Sequence, residues 1–133
     1  MTEKDPLDEI FVDSNEPAVR QLVADILKPL ATIDPKGNID FLQGYDKINN
    51  QKKALIYLII KKAMKLKGLI EDELSLKTEV SKKGLISEND ANNAFSNTYK
   101  KLVINQKGKG YFVPDYNIKK VKDLVFKKNK NGF

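Results

Sequence analysis

The chain has 133 residues, of which 41% are hydrophobic and 32% charged, proportions that are typical of one globular domain. It contains no cysteine and no histidine, which excludes a disulfide framework and removes the commonest general base and metal ligands, so we expect no enzyme, no metal site and no cofactor. Residues 1–40 carry nine acids and four bases, whereas residues 41–133 carry nine acids and 20 bases, a distribution that fits either a polyanionic partner or a well-solvated lysine surface.

Apolar segments of the chain are short. The longest uninterrupted one, residues 54–60, is far too short to cross a bilayer. No N-terminal segment combines the basic start and apolar run of a signal peptide. We therefore expect a cytoplasmic protein that does not associate with membranes.

The N-terminal part divides into an arm and a helix. Residues 1–15 are acidic and lack a clear period, which predicts a flexible acidic arm able to screen the basic surface or bind a protein partner. Asn15 as N-cap and Pro17 in the first turn predict a helix over 17–30. Its apolar residues form one stripe: Val19, Leu22, Val23, Ile26, Leu27 and Leu30. A turn at 34–38 and a short strand at 39–42 follow.

Residues 51–67 are predicted to form the central helix, since apolar residues occupy most of its sides, and Gly68 ends it. The acidic run Glu71-Asp72-Glu73 is interpreted as a solvated turn, because consecutive side chains seldom converge on one metal ion. Ser75 is then predicted to cap a helix reaching Lys83, with Leu76 and Val80 facing inward.

In the last third of the chain, the sequence predicts a helix, a hairpin and a C-terminal helix. After the turn Gly84-Leu85-Ile86, Ser87 is predicted to cap a helix over 88–101, with Asp90 as the acid of a capping box. Two β-prone runs over 102–113, joined by Lys107-Gly108-Lys109-Gly110, predict a hairpin. A final helix over 118–126 and a frayed tail at 129–133 complete a single domain over 16–128.

The order helix, helix, glycine turn, helix, hairpin over residues 50–113 resembles the winged helix-turn-helix. The resemblance rests on Leu76 and Val80, the Gly84 turn, the Ser87 cap, the helix 88–101 and the hairpin tip, and covers about half the chain. The wider layout is similar to that of small archaeal-type winged-helix proteins. It implies a mainly α fold with a small β-hairpin, extended by N- and C-terminal helices, whose third helix enters the major groove of DNA.

Helix 88–101 carries an unusual polar face opposite the apolar residues Ala91, Ala94 and Phe95. Asparagine is a poor helix former, but its amide can donate and accept at an adenine edge, so this face is interpreted as a base reader. A bias of the coding sequence toward Lys and Asn would produce the same face without a function. The candidate contacts on this helix are Asn89, Asn92, Asn93, Ser96, Asn97, Lys100 and Lys101.

The hairpin tip places Lys107 and Lys109 where they could meet phosphates, although Lys-Gly pairs are also ordinary hairpin chemistry. Together with Lys82 and Lys83 these lysines complete the candidate DNA site. We therefore predict sequence-specific binding of double-stranded DNA by a transcriptional regulator. The alternative is a winged-helix protein-interaction module or a subunit of a larger assembly, for which a dispersed charge and an exposed apolar groove would argue.

Helices 17–30 and 118–126 lie outside the predicted three-helix core, and each has a narrow apolar stripe. Either these stripes pack on the same core or they form the interface of a homodimer, as is common among helix-turn-helix proteins that bind two-fold sites. Of the two, we expect the homodimer.

Overall fold

The computed structural model describes residues 16–126, so the predicted acidic arm (1–15) and frayed tail (129–133) lie outside the described residues. The described part is mainly helical with two small antiparallel hairpins, which confirms the coarse fold prediction. The helices are α1 Glu16–Leu27, α2 Gln43–Asp46, α3 Asn50–Leu66, α4 Lys77–Gly84, α5 Glu88–Asn93 and α6 Ile118–Phe126. The strands are β1 Ala31–Ile33, β2 Ile39–Phe41, β3 Ile104–Gln106 and β4 Gly110–Phe112.

Helix α3 is the centre of the fold, as its composition predicts. Every residue from Ala54 to Ile60 is buried, because α1, α4, α5 and α6 all pack against it. The helix begins at Asn50, one residue before the predicted start, since the side chain of Asn49 accepts a hydrogen bond from the Lys52 N–H at 2.9 Å.

Helices α1 and α6 pack on α3 and on each other. Helix α1 ends at Leu27, not at residue 30 as predicted, because the chain turns there and the Leu30 N–H donates to the Leu27 carbonyl at 2.8 Å. Helix α6 has the predicted bounds 118–126 and is tied to α1 by the Lys122–Asp25 salt bridge of 3.2 Å. The buried parts of both apolar stripes belong to the core of this one chain.

The first hairpin, β1–β2, is predicted by the sequence only in its second strand. Strand β1 pairs with β2 with Thr32 opposite Asp40, around the turn at 34–38. Phe41 stacks on the buried Tyr45 of α2, with ring centroids 4.0 Å apart, which seats the hairpin on the core. Strand β1, with three residues, and helix α2, with four, are too short to show a hydrophobic period, and the sequence does not predict either of them.

Helix α4 begins later than predicted. Ser75 does not cap it, since α4 starts at Lys77 and Leu76 occupies the N-cap position without a side-chain hydrogen bond. Instead the Ser75 backbone pairs with Tyr111 of β4, exchanging hydrogen bonds of 3.0 and 2.8 Å. This pairing turns Leu76 outward, 53% exposed, which contradicts its predicted inward position, whereas Val80 is buried as predicted.

The helix predicted over 88–101 is shorter and changes type. It is α-helical only to Asn93, continues as a π-helical turn over Ala94–Thr98, and then gives way to a turn that contains Lys100 and Lys101. Residues 92–98 are rich in Asn, Ser and Thr, which stabilise helices poorly. The side chain of Asn117 also donates to the Leu102 carbonyl at 3.1 Å, which holds the chain in its turn. The strands β3 and β4 accordingly occupy only the middle of the predicted hairpin 102–113.

Candidate nucleic-acid interface

The turn between α4 and α5 sets the start of the candidate recognition helix. Leu85 adopts a left-handed conformation with φ of 62°, at a position where glycine is usual. The Ser87 hydroxyl then accepts a hydrogen bond from the Asp90 N–H at 3.0 Å, which confirms the predicted cap. The Asp90 carboxylate accepts from the Asn50 side chain at 2.9 Å, so it anchors the start of α5 to the start of α3.

The inner face of this helix is the predicted one. Ala91, Ala94 and Phe95 are buried. The Phe95 ring stacks on Tyr111 of β4, with centroids 4.8 Å apart. The helix and the second hairpin are therefore packed against each other.

On the outward face, polar side chains four residues apart contact each other. The Asn97 amide donates to the Asn93 side-chain oxygen at 3.2 Å, and the Ser96 hydroxyl lies 3.4 Å from the Asn92 side-chain oxygen. Asn89, Ser96 and Asn97 are exposed, whereas Asn92 and Asn93 are half-buried. The face is thus built as predicted, but its members already hydrogen-bond to one another.

Lys77, the first residue of α4, joins this face and was missed by the sequence interpretation. Its ammonium group donates to the side-chain oxygen of Asn92 and lies 3.4 Å from the Ser96 hydroxyl. It also lies 5.5 Å from the centroid of the Tyr111 ring, within cation–π range. No local pattern could reveal this interaction, because Lys77 and Asn92 are 15 positions apart and meet only through the packing of α4 on α5.

The six lysines of the predicted site lie at three places and are all exposed. Lys82 and Lys83 are in the last turn of α4, Lys100 and Lys101 follow the π-helical turn, and Lys107 and Lys109 are at the hairpin tip. Within residues 16–126 none of the six forms a salt bridge, in contrast to Lys61, which pairs with Glu79 at 2.6 Å. No hydrogen bond of the described chain joins the side chain of any of the six to the polar face of α5, where Lys77 is the only lysine that forms one.

The second hairpin holds its lysines on a rigid base. Gly108 and Gly110 have positive φ angles of 80° and 130°. A Cβ atom on Gly110 would come within 2.7 Å of the Ser75 backbone, so only glycine fits there. The close approach fixes β4 against the segment before α4, and the tip at 107–109 projects beyond it with both side chains exposed.

Tyr99 borders the site and is half-buried. Burial raises the pKa of its phenol, and a hydrogen bond with the Asn49 side chain opposes that rise. The phenol therefore stays neutral near pH 7. It contributes a hydrogen-bonding edge and no charge to this region.

The acidic run before α4 differs in part from its interpretation. Glu71 and Asp72 are exposed, as a solvated turn requires, but Glu73 is buried against Lys62 at 2.8 Å. Among residues 16–126 no three metal-ligating side chains converge. Nor is any helix in that range long and apolar enough to cross a membrane.

Comparison of the chain with protein-family models, with curated proteins and with solved structures gave no match. Its function must therefore be inferred from the chemistry of the residues themselves. Those residues combine hydrogen-bonding amides on one helix with exposed lysines on the hairpin packed against it.

Proposed function

We propose that the chain is a winged helix-turn-helix protein that binds double-stranded DNA sequence-specifically, as a transcriptional regulator rather than an enzyme. Helix α5 and the π-helical turn would enter the major groove, which is wide enough to admit a helix, and the β3–β4 hairpin would lie on the neighbouring backbone as the wing. The order α3, α4, α5, hairpin supports this assignment. So does the turn between α4 and α5, since Ser87 caps the helix that would carry the base contacts.

The observation that carries the proposal is the packing of an Asn/Ser helix face beside a lysine hairpin. The Phe95–Tyr111 stack joins the two elements, and Lys77 bridges them on the outside through Asn92 and the Tyr111 ring. Exposed lysines suit phosphates, which position a protein on DNA, while amide side chains suit base edges, which specify the sequence. The Phe95–Tyr111 stack supports the proposal because it packs the element that carries the amides against the hairpin that carries the lysines.

The interactions made by Lys77 help to assign which residues would contact bases. The side-chain oxygen of Asn92 already accepts from Lys77, so Asn92 is assigned a positioning role. Asn89, Ser96 and Asn97 are exposed and are assigned the base contacts, with Asn93 supporting Asn97. Lys100 and Lys101, which lie in the turn beyond the helix, are assigned to phosphates.

The first test is a fluorescence anisotropy titration of the full chain with a random-sequence duplex at increasing salt. Each lysine–phosphate pair releases counterions, so the affinity is expected to fall steeply and linearly on logarithmic axes, with a slope of about −0.9 per neutralised phosphate. An affinity that does not change with salt would contradict the proposal.

A second test separates base reading from electrostatic attraction, using a site selected from random sequences and a scrambled duplex. Asn97→Ala is expected to reduce the discrimination between them by about 1–3 kcal/mol, the value of one good side-chain pairing with a base edge. Lys107→Ala is expected to weaken both complexes alike and to lower the salt slope by about one. If Asn97→Ala weakens both complexes equally, or neither, the helix does not read bases.

A protein-interaction module is the second candidate, because apolar side chains are exposed around the same elements. Leu85 in the α4–α5 turn is 67% exposed, and Leu76 and Ile104 are also exposed. Exposed apolar side chains can contribute to a protein-binding surface when they form a patch. Failure of the wild-type chain to bind either duplex would favour this function over DNA binding.

The homodimer was predicted from the apolar stripes of α1 and α6, and these stripes pack largely against the core of the same chain. A dimer would have to use the outward faces of these helices. Light scattering of the full chain, alone and with a two-fold duplex, measures whether one or two copies are present. A protein partner for the acidic arm and a cytoplasmic location stay predictions.

A further inference from the structure

Lys77 is held in one place by neutral groups. Its ammonium group donates to the side-chain oxygen of Asn92, lies 3.4 Å from the Ser96 hydroxyl and lies 5.5 Å from the centroid of the Tyr111 ring. Within the described part of the chain it forms no salt bridge, whereas Lys61 of α3, which is also half-buried, pairs with a carboxylate at 2.6 Å. The positive charge of Lys77 is therefore fixed in position without an acidic partner.

Packing at both ends of the Lys77 side chain determines where its ammonium group lies. Two residues before it, the Ser75 backbone exchanges two hydrogen bonds with Tyr111 of β4. The Tyr111 ring in turn stacks on the buried ring of Phe95. A lysine side chain loses considerable conformational entropy when a ligand immobilises it. For Lys77 part of that loss has already occurred in the free protein, so its charge is preorganised.

The ammonium group lies among the residues that are assigned the base contacts. Asn92 and Ser96 are neighbours on the polar face of the helix, and Asn89 lies one turn before Asn92 on the same face. Lys77 is half-buried, so part of its side chain stays open to solvent. An ammonium group has three N–H donors and no acceptor, and the contacts with Asn92 and Ser96 use two of them. One donor is left for an acceptor outside the chain.

We infer that Lys77 contacts a guanine of the bound DNA, an inference that rests on the proposed function and adds part of the target sequence to it. In the major groove guanine presents two acceptors, N7 and O6, whereas adenine presents one acceptor beside an amine donor, thymine one acceptor and cytosine a donor. A group that can only donate therefore matches guanine best, as an amide matches adenine. A backbone phosphate would also accept from this ammonium group, and a change of base distinguishes the two acceptors.

The experiment is an anisotropy titration of the full chain with a duplex selected from random sequences, in which each guanine in turn is replaced by 7-deazaguanine. This analogue keeps Watson–Crick pairing and lacks the N7 acceptor. At one guanine the replacement should weaken wild-type binding by about tenfold, as expected for the loss of a good base contact. A selected site without guanine, or a site at which no replacement changes the affinity, would overturn the inference while DNA binding stands. If no duplex is selected or bound, the proposed function itself is wrong and the inference falls with it.

Variants then assign the guanine contact to Lys77. Lys77→Met, which keeps an unbranched side chain and removes the charge, should bind the standard duplex and the substituted duplex with equal affinity. The matched control is Lys107→Met at the exposed hairpin tip, which should weaken both complexes and retain the tenfold ratio between them. If Lys77→Met does not fold, Lys77→Gln takes its place. A folded Lys77 variant that retains the tenfold ratio would overturn the inference, because Lys77 would then contact a phosphate or no part of the DNA.

Discussion

The two hairpins of the described chain are alike in backbone and differ in what their turns offer. Each consists of two antiparallel strands of three residues. The turn of the first is closed by its own acid, since Asp34 Oδ1 accepts from the Lys36 and Asn38 N–H groups at 2.8 and 2.9 Å. The tip of the second contains Lys107 and Lys109 and no acid, and both lysines are exposed. The first turn is closed by hydrogen bonds within the turn, whereas the second presents two exposed lysines.

The bases of the hairpins do not share this difference. The first is seated by Phe41 on Tyr45, and the second by Tyr111 on Phe95 and by the Ser75 bridge. Both are fixed to the core by aromatic stacking. The proposed function therefore depends on the chemistry of the second turn, whereas the short strands and the aromatic stacking at the base are common to both hairpins. Substitutions at the turns and at the bases can test this difference.

The largest expected effect is on the base of the second hairpin. Phe95→Ala removes a buried ring and its stack on Tyr111, and should lower the free energy of unfolding by about 3–5 kcal/mol. Asn97→Ala, on the exposed face of the same turn, should change it by no more than about 0.5 kcal/mol. Denaturant melts of both variants measure the difference. Equal midpoints would mean that the assignment of Phe95 to the buried face and Asn97 to the exposed face is wrong.

Alanine substitutions at glycines with positive φ allow the two hairpins to be compared directly. Gly110→Ala places a methyl group 2.7 Å from the Ser75 backbone and should cost about 3 kcal/mol or more. In the first hairpin, Gly37 has φ of 88° with open space around it, so Gly37→Ala should cost only about 1–2 kcal/mol of backbone strain. Gly108→Ala should behave like Gly37→Ala. A Gly110→Ala variant as stable as these two would rule out the close approach of β4 to Ser75.

A smaller effect concerns pH. Hydrogen bonds from the backbone and side chain of Asn38 hold the pKa of Asp34 below its usual value of 3.8. Its contribution to stability is therefore complete above that value and is lost as the pH falls through the lower pKa of the folded state. The wild type should exceed Asp34→Ala in stability at pH 6, and the gap should narrow as the pH falls below 3.8. Lys107→Ala should show no such change over this range, and a gap for Asp34→Ala that is constant with pH would refute the role of the ionised carboxylate.

The sequence predicts those features that depend on neighbours along the chain. The apolar pattern of α3, the Ser87 cap and the Gly108 turn of the second hairpin depend on residues close in sequence, and all three occur as predicted. The paired neighbours Asn93 and Asn97 follow from helical spacing in the same way.

Other features depend on interactions between distant positions and were missed or misassigned. Ser75 looks like a cap but pairs with Tyr111, and Lys62 looks like a solvated lysine of α3 but pairs with Asp115, 53 positions away. The π-helical turn at 94–98 belongs to the same class, because Asn117 of a later turn helps to hold the chain beyond it. Pattern alone cannot choose among such partners, since tertiary packing selects them.

The measurement that tests the central claim most directly compares one lysine from each hairpin turn. Lys109→Ala and Lys36→Ala each remove one exposed charge beside a glycine, and each is titrated with the same duplex by anisotropy across a range of salt. If the second hairpin is the wing, Lys109→Ala weakens binding and reduces the salt slope by about one, whereas Lys36→Ala leaves the affinity and the slope of the wild type nearly intact. Equal losses of affinity in the two variants, or an unchanged affinity in Lys109→Ala, would show that the second hairpin is not a DNA-binding wing.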